Sequence, residues 1–166
     1  GIISADLTGD NGPALLATLA RPSDVALLED PVAGDILYIA DFGNHRIRQV
    51  KGGIISTIAG RELDPPPASP TPIPSFSGQD ATQVSLEYPG TIAVAPSGTV
   101  YAIDTVTCPD SATTHNRLHK IYPEGQGWKI STLIEHNCFN RAAYPAINPA
   151  GVAVDQEGNL FVSDAQ

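Results

Sequence analysis

The feature that most limits how this chain can fold is an internal repeat. The stretch Gly1–Ser4 reads Gly-Ile-Ile-Ser, and the same four residues return at Gly53–Ser56. A second match pairs His45–Val50 with Asn116–Ile121. Self-similarity of this kind is typical of proteins built from stacked copies of one small unit. The structure of the unit therefore decides the structure of the chain.

Each copy of the unit opens with a proline and a β-rich run, and a second β-rich run follows after a polar turn. The opening prolines are Pro22, Pro89 and Pro149. The second runs all close on an aspartate, at Asp41, Asp104 and Asp164. β-branched and aromatic residues between Gly, Pro and Asp turns are typical of strands joined by hairpins. The pattern predicts an all-β chain made of small sheets, each with four antiparallel strands.

The residues of the first copy resemble a known family. The sequence ADFGNHRIRQV at 40–50, followed by GGIISTIAG at 52–60 and preceded by GDNGPALLATLARPSDVAL at 9–27, resembles the NHL repeat. The resemblance implies a β-propeller, in which each copy is one blade. Two departures stand out: the second copy carries an insertion in place of the Asn-His-Arg turn, and the third ends before its signature would begin.

The resemblance divides the chain into about two and a half blades. Residues 1–4 form the last strand of a preceding blade and 21–60 the first full blade. A Pro-rich loop at 61–87 leads to a second blade at 88–134, which contains the insertion 105–115, and 135–166 is a loop with the first half of a third blade. Closed propellers have about four or more blades, so this chain does not close a ring alone. Either it belongs to a longer propeller, or Gly1–Ser4 of one copy completes the third blade of its neighbour.

Net charge and hydropathy restrict the classes of partner. The chain carries 18 acidic and 9 basic residues, a net charge of −9. Nucleic-acid binding needs clustered Lys and Arg, so we expect no nucleic-acid partner. No run of about 18 apolar residues occurs, so no membrane-spanning segment is predicted. The expected partners are other copies of the chain or the rest of a longer propeller, with a protein or glycan ligand as a further option.

The two cysteines predict a disulfide bond. Cys108 opens the insertion of the second blade, and Cys138 lies in the loop that follows the same blade. A bridge between them would enclose about 30 residues and contribute about 3–4 kcal/mol in the loop-entropy model. Disulfides form in oxidising compartments, so this pairing favours an extracellular or cell-surface location. The alternative is two independent buried thiols.

The Pro-rich segment Leu63–Phe76 reads LDPPPASPTPIPSF and belongs to no blade. Its composition favours an extended polyproline-II path. Three roles remain open: a passive spacer, a ligand for a proline-reading domain, or a site of O-glycosylation. The acceptor hydroxyls for O-glycosylation would be those of Ser69, Thr71 and Ser75.

No catalytic, metal or cofactor residue can be assigned from the sequence, and no nucleophile elbow, phosphate loop or zinc-protease motif occurs. His115 and His119 are four residues apart, but on the predicted strand that spacing separates them by about 13 Å. Residues that recur at one repeat position build the fold more often than they catalyse. This structural role is assigned to Asp41, His45, Arg46, Asp104, Arg117 and Asp164.

The function predicted from the sequence is an extracellular propeller scaffold for protein binding or self-assembly. A fibre or sheath held together through open blade edges is the specific form of this hypothesis. The alternative is part of a secreted, metal-dependent propeller enzyme similar to the peptide-amidating lyases. Nothing in the sequence itself indicates an enzyme.

Overall fold

A computed structural model of the chain describes residues 9–32, 34–61, 75–107, 114–135 and 147–165. Within these ranges the protein is all-β, its sheets are antiparallel and none of them is closed. The strands are β1 Gly12–Pro13, β2 Asp24–Leu28, β3 Ile36–Asp41, β4 Arg46–Lys51, β5 Ile54–Ala59, β6 Ser77–Asp80, β7 Tyr88–Val94, β8 Val100–Thr107, β9 Thr114–Glu124, β10 Gly127–Ile134, β11 Pro149–Val154 and β12 Leu160–Asp164. Short 3₁₀ helices lie at Ala14–Leu16, Phe42–Asn44 and Ala81–Gln83.

The strands form three sheets with matching order. The first sheet runs β1-β5-β4-β3-β2, the second β6-β10-β9-β8-β7, and the third consists of β11 and β12. The registers also match, since Asp41 lies opposite Arg46 in the first sheet and Asp104 lies opposite Arg117 in the second. The internal repeat in the sequence is therefore a repeat in the structure.

Each of the first two sheets has five strands where four were expected. The additional strands β1 and β6 come from the segments that precede β2 and β7, and they pair with β5 and β10 at the outer edge. At β5, the backbone N–H of Asn11 donates to Ile55 at 2.8 Å and that of Ala14 to Gly53 at 2.8 Å. An edge strand exposes backbone donors and acceptors that need partners. The preceding segment supplies these partners in both sheets.

The predicted insertion and the predicted inter-blade loop both contain regular structure. Strand pairing between β8 and β9 continues through Thr107 and Thr114, so both ends of the predicted insertion 105–115 are strand. The β-branched Thr105, Val106 and Thr107 favour this extension. In the predicted loop 61–87, residues 77–80 form β6 and 81–83 a 3₁₀ helix.

The hydrophobic core lies between the first and second sheets. Ile36 and Tyr38 of β3 and Ile47 of β4 pack in one cluster with side chains from the second sheet. The second sheet contributes Ile92, Val100, Ala102, Ile121 and Ile130. Each fully buried aliphatic or aromatic side chain contributes about 1.5–3 kcal/mol, so this shared core holds the two sheets together.

Candidate functional site

In each repeat, the aspartate at the end of the second β-rich run bonds the backbone that precedes the first strand of the same sheet. Each carboxylate accepts a backbone N–H from the residue or residues just before the repeat proline. The bonds are Ala20 N to Asp41 Oδ1 at 2.8 Å, Glu87 N to Asp104 Oδ2 at 3.1 Å, Tyr88 N to Asp104 Oδ1 at 2.7 Å and Asn148 N to Asp164 Oδ1 at 3.0 Å. A carboxylate used in this way holds the first and second strands in place and is occupied by backbone donors.

A buried arginine that the sequence analysis did not single out completes the first of these sites. Arg48 on β4 is fully buried, and its guanidinium lies 3.2 Å from Asp41 Oδ2 and 2.7 Å from Asp10 Oδ1. Thr57 donates to the other oxygen of Asp10 at 2.7 Å. Arg46, which the sequence analysis named, lies 3.7 Å from Asp10 and is less buried. The Arg48 ion pair ties the segment before β1 to the middle of the sheet.

The second sheet carries histidine at the position of Arg48. His119 is fully buried, with Nε2 3.9 Å from Asp104 Oδ2 and Nδ1 3.2 Å from the Thr132 hydroxyl. The Phe76 ring packs against it with a centroid distance of 5.3 Å. The neighbouring Arg117 lies 3.8 Å from Glu135, and burial lowers the pKa of this arginine despite the nearby carboxylates. His115 and His119 both lie on β9, as the sequence predicts.

His45 bonds within its own turn through its backbone N–H, which donates to the carbonyl of Phe42 at 3.2 Å, and its side chain contacts the second sheet. It ends the 3₁₀ helix at 42–44 in the left-handed conformation, with φ of 58°. Its Nδ1 hydrogen-bonds the backbone carbonyl of Glu87, and its ring lies 5.7 Å from the ring of Tyr88. Phe42 stacks on the same tyrosine at 5.1 Å. The Asn-His-Arg turn of the first sheet therefore holds the first strand of the second.

A polar clamp joins β2 to β7 beside the core. The Ser23 hydroxyl lies 2.7 Å from the carbonyl oxygen of Gly90 and 3.1 Å from that of Pro89. In the opposite direction, the backbone N–H of Ile92 donates to Asp24 Oδ2 at 2.9 Å. Backbone groups of the second sheet thus find partners on the first.

One aromatic position recurs in all three sheets, and on the first sheet it is covered by the second. Tyr38, Tyr101 and Phe161 each lie opposite an alanine of the first strand, so they are equivalent. Tyr38 faces the second sheet and is only 1% exposed, with Trp128 edge-on at 6.3 Å and Gln49 donating to its hydroxyl. Burial raises the pKa of Tyr38. Phe161 on the third sheet is 57% exposed, and we call the side of β11 and β12 that carries it the Phe161 face.

The first sheet exposes the complementary surface. Val25 and Leu27 of β2 are 58% and 52% exposed, and we call this surface the Val25 face. By register, Val25 is equivalent to Ile92 of the second sheet, which is 5% exposed because the first sheet covers it. The described chain therefore presents, at each end of its row of sheets, a surface of the type that is buried in the middle.

A cavity of about 640 Å³ opens where the turns after the first strands of all three sheets meet. Its apolar lining includes Leu27, Val94 and Val154, and its acidic lining includes Glu29 and Glu157. Across the described ranges, no three His, Cys, Asp or Glu side chains are grouped so that they could hold a metal ion. No helix among the described residues is long and apolar enough to cross a membrane.

Several predictions made from the sequence fall on residues outside the described ranges. These are the disulfide between Cys108 and Cys138, the strand Gly1–Ser4, and the glycosylation acceptors Ser69 and Thr71. The third acceptor, Ser75, is described, and its hydroxyl donates to the carboxylate of Glu135. A glycan on the Ser75 oxygen would remove the hydroxyl hydrogen and with it this hydrogen bond.

No protein-family model matches the chain, and no curated protein matches it either.

Proposed function

We propose that the chain is a portion of an NHL-type β-propeller and that it acts as an extracellular scaffold for self-assembly and protein binding. In this proposal the first and second sheets are full blades and β11–β12 the first half of a third. The matching strand order, the equivalent aspartates and the recurring aromatic position support it. A disulfide between Cys108 and Cys138 would suit the extracellular location.

The observation that carries the proposal is the exposure of both ends of the row of sheets. Phe161 is 57% exposed and Val25 58%, although their equivalents Tyr38 and Ile92 are almost fully buried between sheets. Repeats of this kind are stable because neighbours cover their apolar faces. Each end face is therefore of the type that a further sheet covers, whether that sheet comes from the same chain or from another copy.

The test combines mass, imaging and metal content of the purified chain. A scaffold is expected to form particles larger than the 17.4 kDa chain as the concentration rises, without bound metal. Negative-stain imaging would show whether the particles are rings or filaments. A chain that stays at 17.4 kDa at every concentration and carries one equivalent of metal would contradict self-assembly and favour the enzyme hypothesis.

A further inference from the structure

We propose that the cavity at the turns after the first strands is a binding site for a basic segment of a protein partner. We call it the turn cavity; its volume is about 640 Å³, and all three sheets contribute to its lining. A lysine or arginine of the partner would lay its aliphatic stem on the apolar floor and place its cation against the acidic rim. The inference rests on the proposed function, because it names the chemistry of a protein that the scaffold would bind.

The floor of the turn cavity is formed by one repeat position. Leu28, Val94 and Val154 each end the first strand of their sheet and pair with the first residue of the second strand. All three line the cavity, and Leu28 and Val94 also pack against the hydrophobic core. Because every sheet contributes the same position, a further sheet at either end of the row would add an equivalent residue beside this floor rather than cover it.

The rim of the turn cavity is acidic. Glu29 of the first sheet and Asp155 and Glu157 of the third contribute carboxylates. No lysine, arginine or histidine within the described ranges belongs to the lining. The chain as a whole adds to this local charge, with 18 acidic against 9 basic residues. A cleft lined by one sign of charge concentrates ligands of the opposite sign, so the rim favours cations.

The three carboxylates of the rim have different roles. Asp155 accepts the backbone N–H of Asn159 at 2.7 Å and the side-chain amide of the same residue at 2.8 Å. The side-chain hydrogen bond lowers the pKa of Asp155, and both bonds hold the turn between β11 and β12 in which Glu157 lies. Glu29 and Glu157 are exposed. A ligand can therefore reach these two carboxylates, while Asp155 fixes the turn.

Size and polarity select the class of ligand. Sites that bury most of a small ligand have volumes of about 300–1,000 Å³, so the turn cavity has room for more than one side chain. Lysine and arginine combine an apolar stem with a terminal cation, which matches an aliphatic floor beside a carboxylate rim. A free polyamine carries charges along its length and would place one of them on the floor at Val94 or Val154, which is costly. A basic peptide segment is the better fit.

The test uses the peptide acetyl-Leu-Lys-Leu-Lys-amide and follows the chain by NMR. Binding in the turn cavity is expected to shift the backbone amide signals of Val94, Val154 and Glu157. Two matched peptides separate the charge from the stem. One carries norleucine in place of lysine and keeps the aliphatic stem without the ammonium group, and the other carries glutamate. The lysine peptide should bind most tightly, the norleucine peptide more weakly and the glutamate peptide least.

Variants of the rim and the floor should separate in the same way. Glu29→Gln and Glu157→Gln are each expected to raise the dissociation constant of the lysine peptide by about 1.5- to 5-fold and to leave that of the norleucine peptide unchanged. Val154→Thr places a hydroxyl in the floor and should weaken both peptides. Glu124→Gln is the matched control, since it removes the same charge at the end of β9, outside the lining, and should change neither value. Unchanged thermal melting establishes that each variant is folded.

Four results would overturn the inference. These are the absence of shifts at millimolar peptide, equal binding of the lysine and glutamate peptides, a loss in Glu124→Gln as large as that in Glu29→Gln, and tighter binding of spermidine than of the lysine peptide. The third would show attraction by net charge without a site, and the fourth would replace the protein partner by a free amine. Self-assembly is measured separately by particle mass, so it would stand in each case. A monomeric chain that binds the lysine peptide would keep this site and reject self-assembly.

Discussion

At the scale of single residues, the repeat places carboxylates where backbone and side-chain donors meet. Asp41 is fully buried, accepts the N–H of Ala20 and receives Arg48 from the adjacent strand. Asp104 has the same backbone role, but the residue on the adjacent strand is His119. Removing one partner of a buried pair leaves an uncompensated charge and is strongly destabilising. In the second sheet the smaller side chain of His119 stands where the first sheet has the buried Arg48, and the Phe76 ring packs against it.

The sequence predicted part of this arrangement. The recurrence of Asp41, Asp104 and Asp164 at one repeat position indicated a structural role, and in the structure each of these carboxylates accepts a backbone N–H. The sequence also directed attention to Arg46, because it stands in the signature turn. The importance of Arg48 depends on Asp10, which is 38 residues away, and contacts of that range are set by the fold rather than by local pattern.

The substitution Ile39→Asp tests burial at one residue. Ile39 is 6% exposed and lies opposite Val25 and Arg48 on neighbouring strands. A carboxylate placed there is expected to lower the free energy of unfolding by several kcal/mol, about 3 or more, because it is desolvated. Urea unfolding measures the change, with Val32→Asp as the exposed control at a cost within about 0.5 kcal/mol. Equal losses for both variants would show that Ile39 is not buried.

The raised pKa of Tyr38 predicts how stability depends on alkaline pH. Burial disfavours the phenolate, so the folded chain holds this proton to a higher pH than the unfolded chain, whose tyrosine has a pKa of about 10. Stability from this group is complete below that pH and is lost as pH rises through the folded pKa. The melting temperature should fall less steeply in Tyr38→Phe than in wild type between about pH 9 and 11. Parallel slopes would mean that Tyr38 ionises freely when folded.

At the scale of elements, the first and second sheets are joined by turns as well as by the core. The turn at 42–45 contacts Tyr88, and Gly60 after β5 donates its N–H to Ala81 at 2.9 Å. Four strands of each full sheet follow from alternating runs and turn residues, which are local signals. The strands β1 and β6 do not, because Gly12–Pro13 and Ser77–Asp80 have weak β propensity and are strands only through pairing with β5 and β10.

The substitution Gly60→Ala tests the joint between the sheets. Gly60 has φ of +86°, and a Cβ atom there would lie 2.2 Å from the carbonyl oxygen of His45. The matched control is Gly52→Ala, where φ is +56° and no atom lies within 4 Å of the added carbon. Left-handed backbone alone costs an alanine about 1–2 kcal/mol, so Gly60→Ala should lose clearly more stability than Gly52→Ala. Equal losses in urea unfolding would show that His45 moves away without cost.

At the scale of the whole molecule, the sheets form a row with unlike ends. The Phe161 face and the Val25 face are each exposed where the interior positions are covered. The sequence predicted that the blades would be incomplete, but it could not identify these faces. Exposure of Val25 or Phe161 depends on which sheet covers which, and the alternation of apolar residues along β2 or β12 does not contain that information.

The charge of the whole chain predicts how salt affects docking of copies. Each copy carries a net charge of −9, so two copies that approach one another repel. In the proposed assembly the contact covers the apolar Phe161 and Val25 faces and is not weakened by salt, whereas the repulsion is screened over about 8 Å at physiological ionic strength. The dissociation constant of the pair should therefore decrease when sodium chloride is raised from about 20 mM to about 500 mM, a range in which the screening length falls several-fold. Sedimentation equilibrium at both salt concentrations measures this change. Weaker pairing at high salt would mean that ion pairs, and not the Phe161 and Val25 faces, hold the copies together.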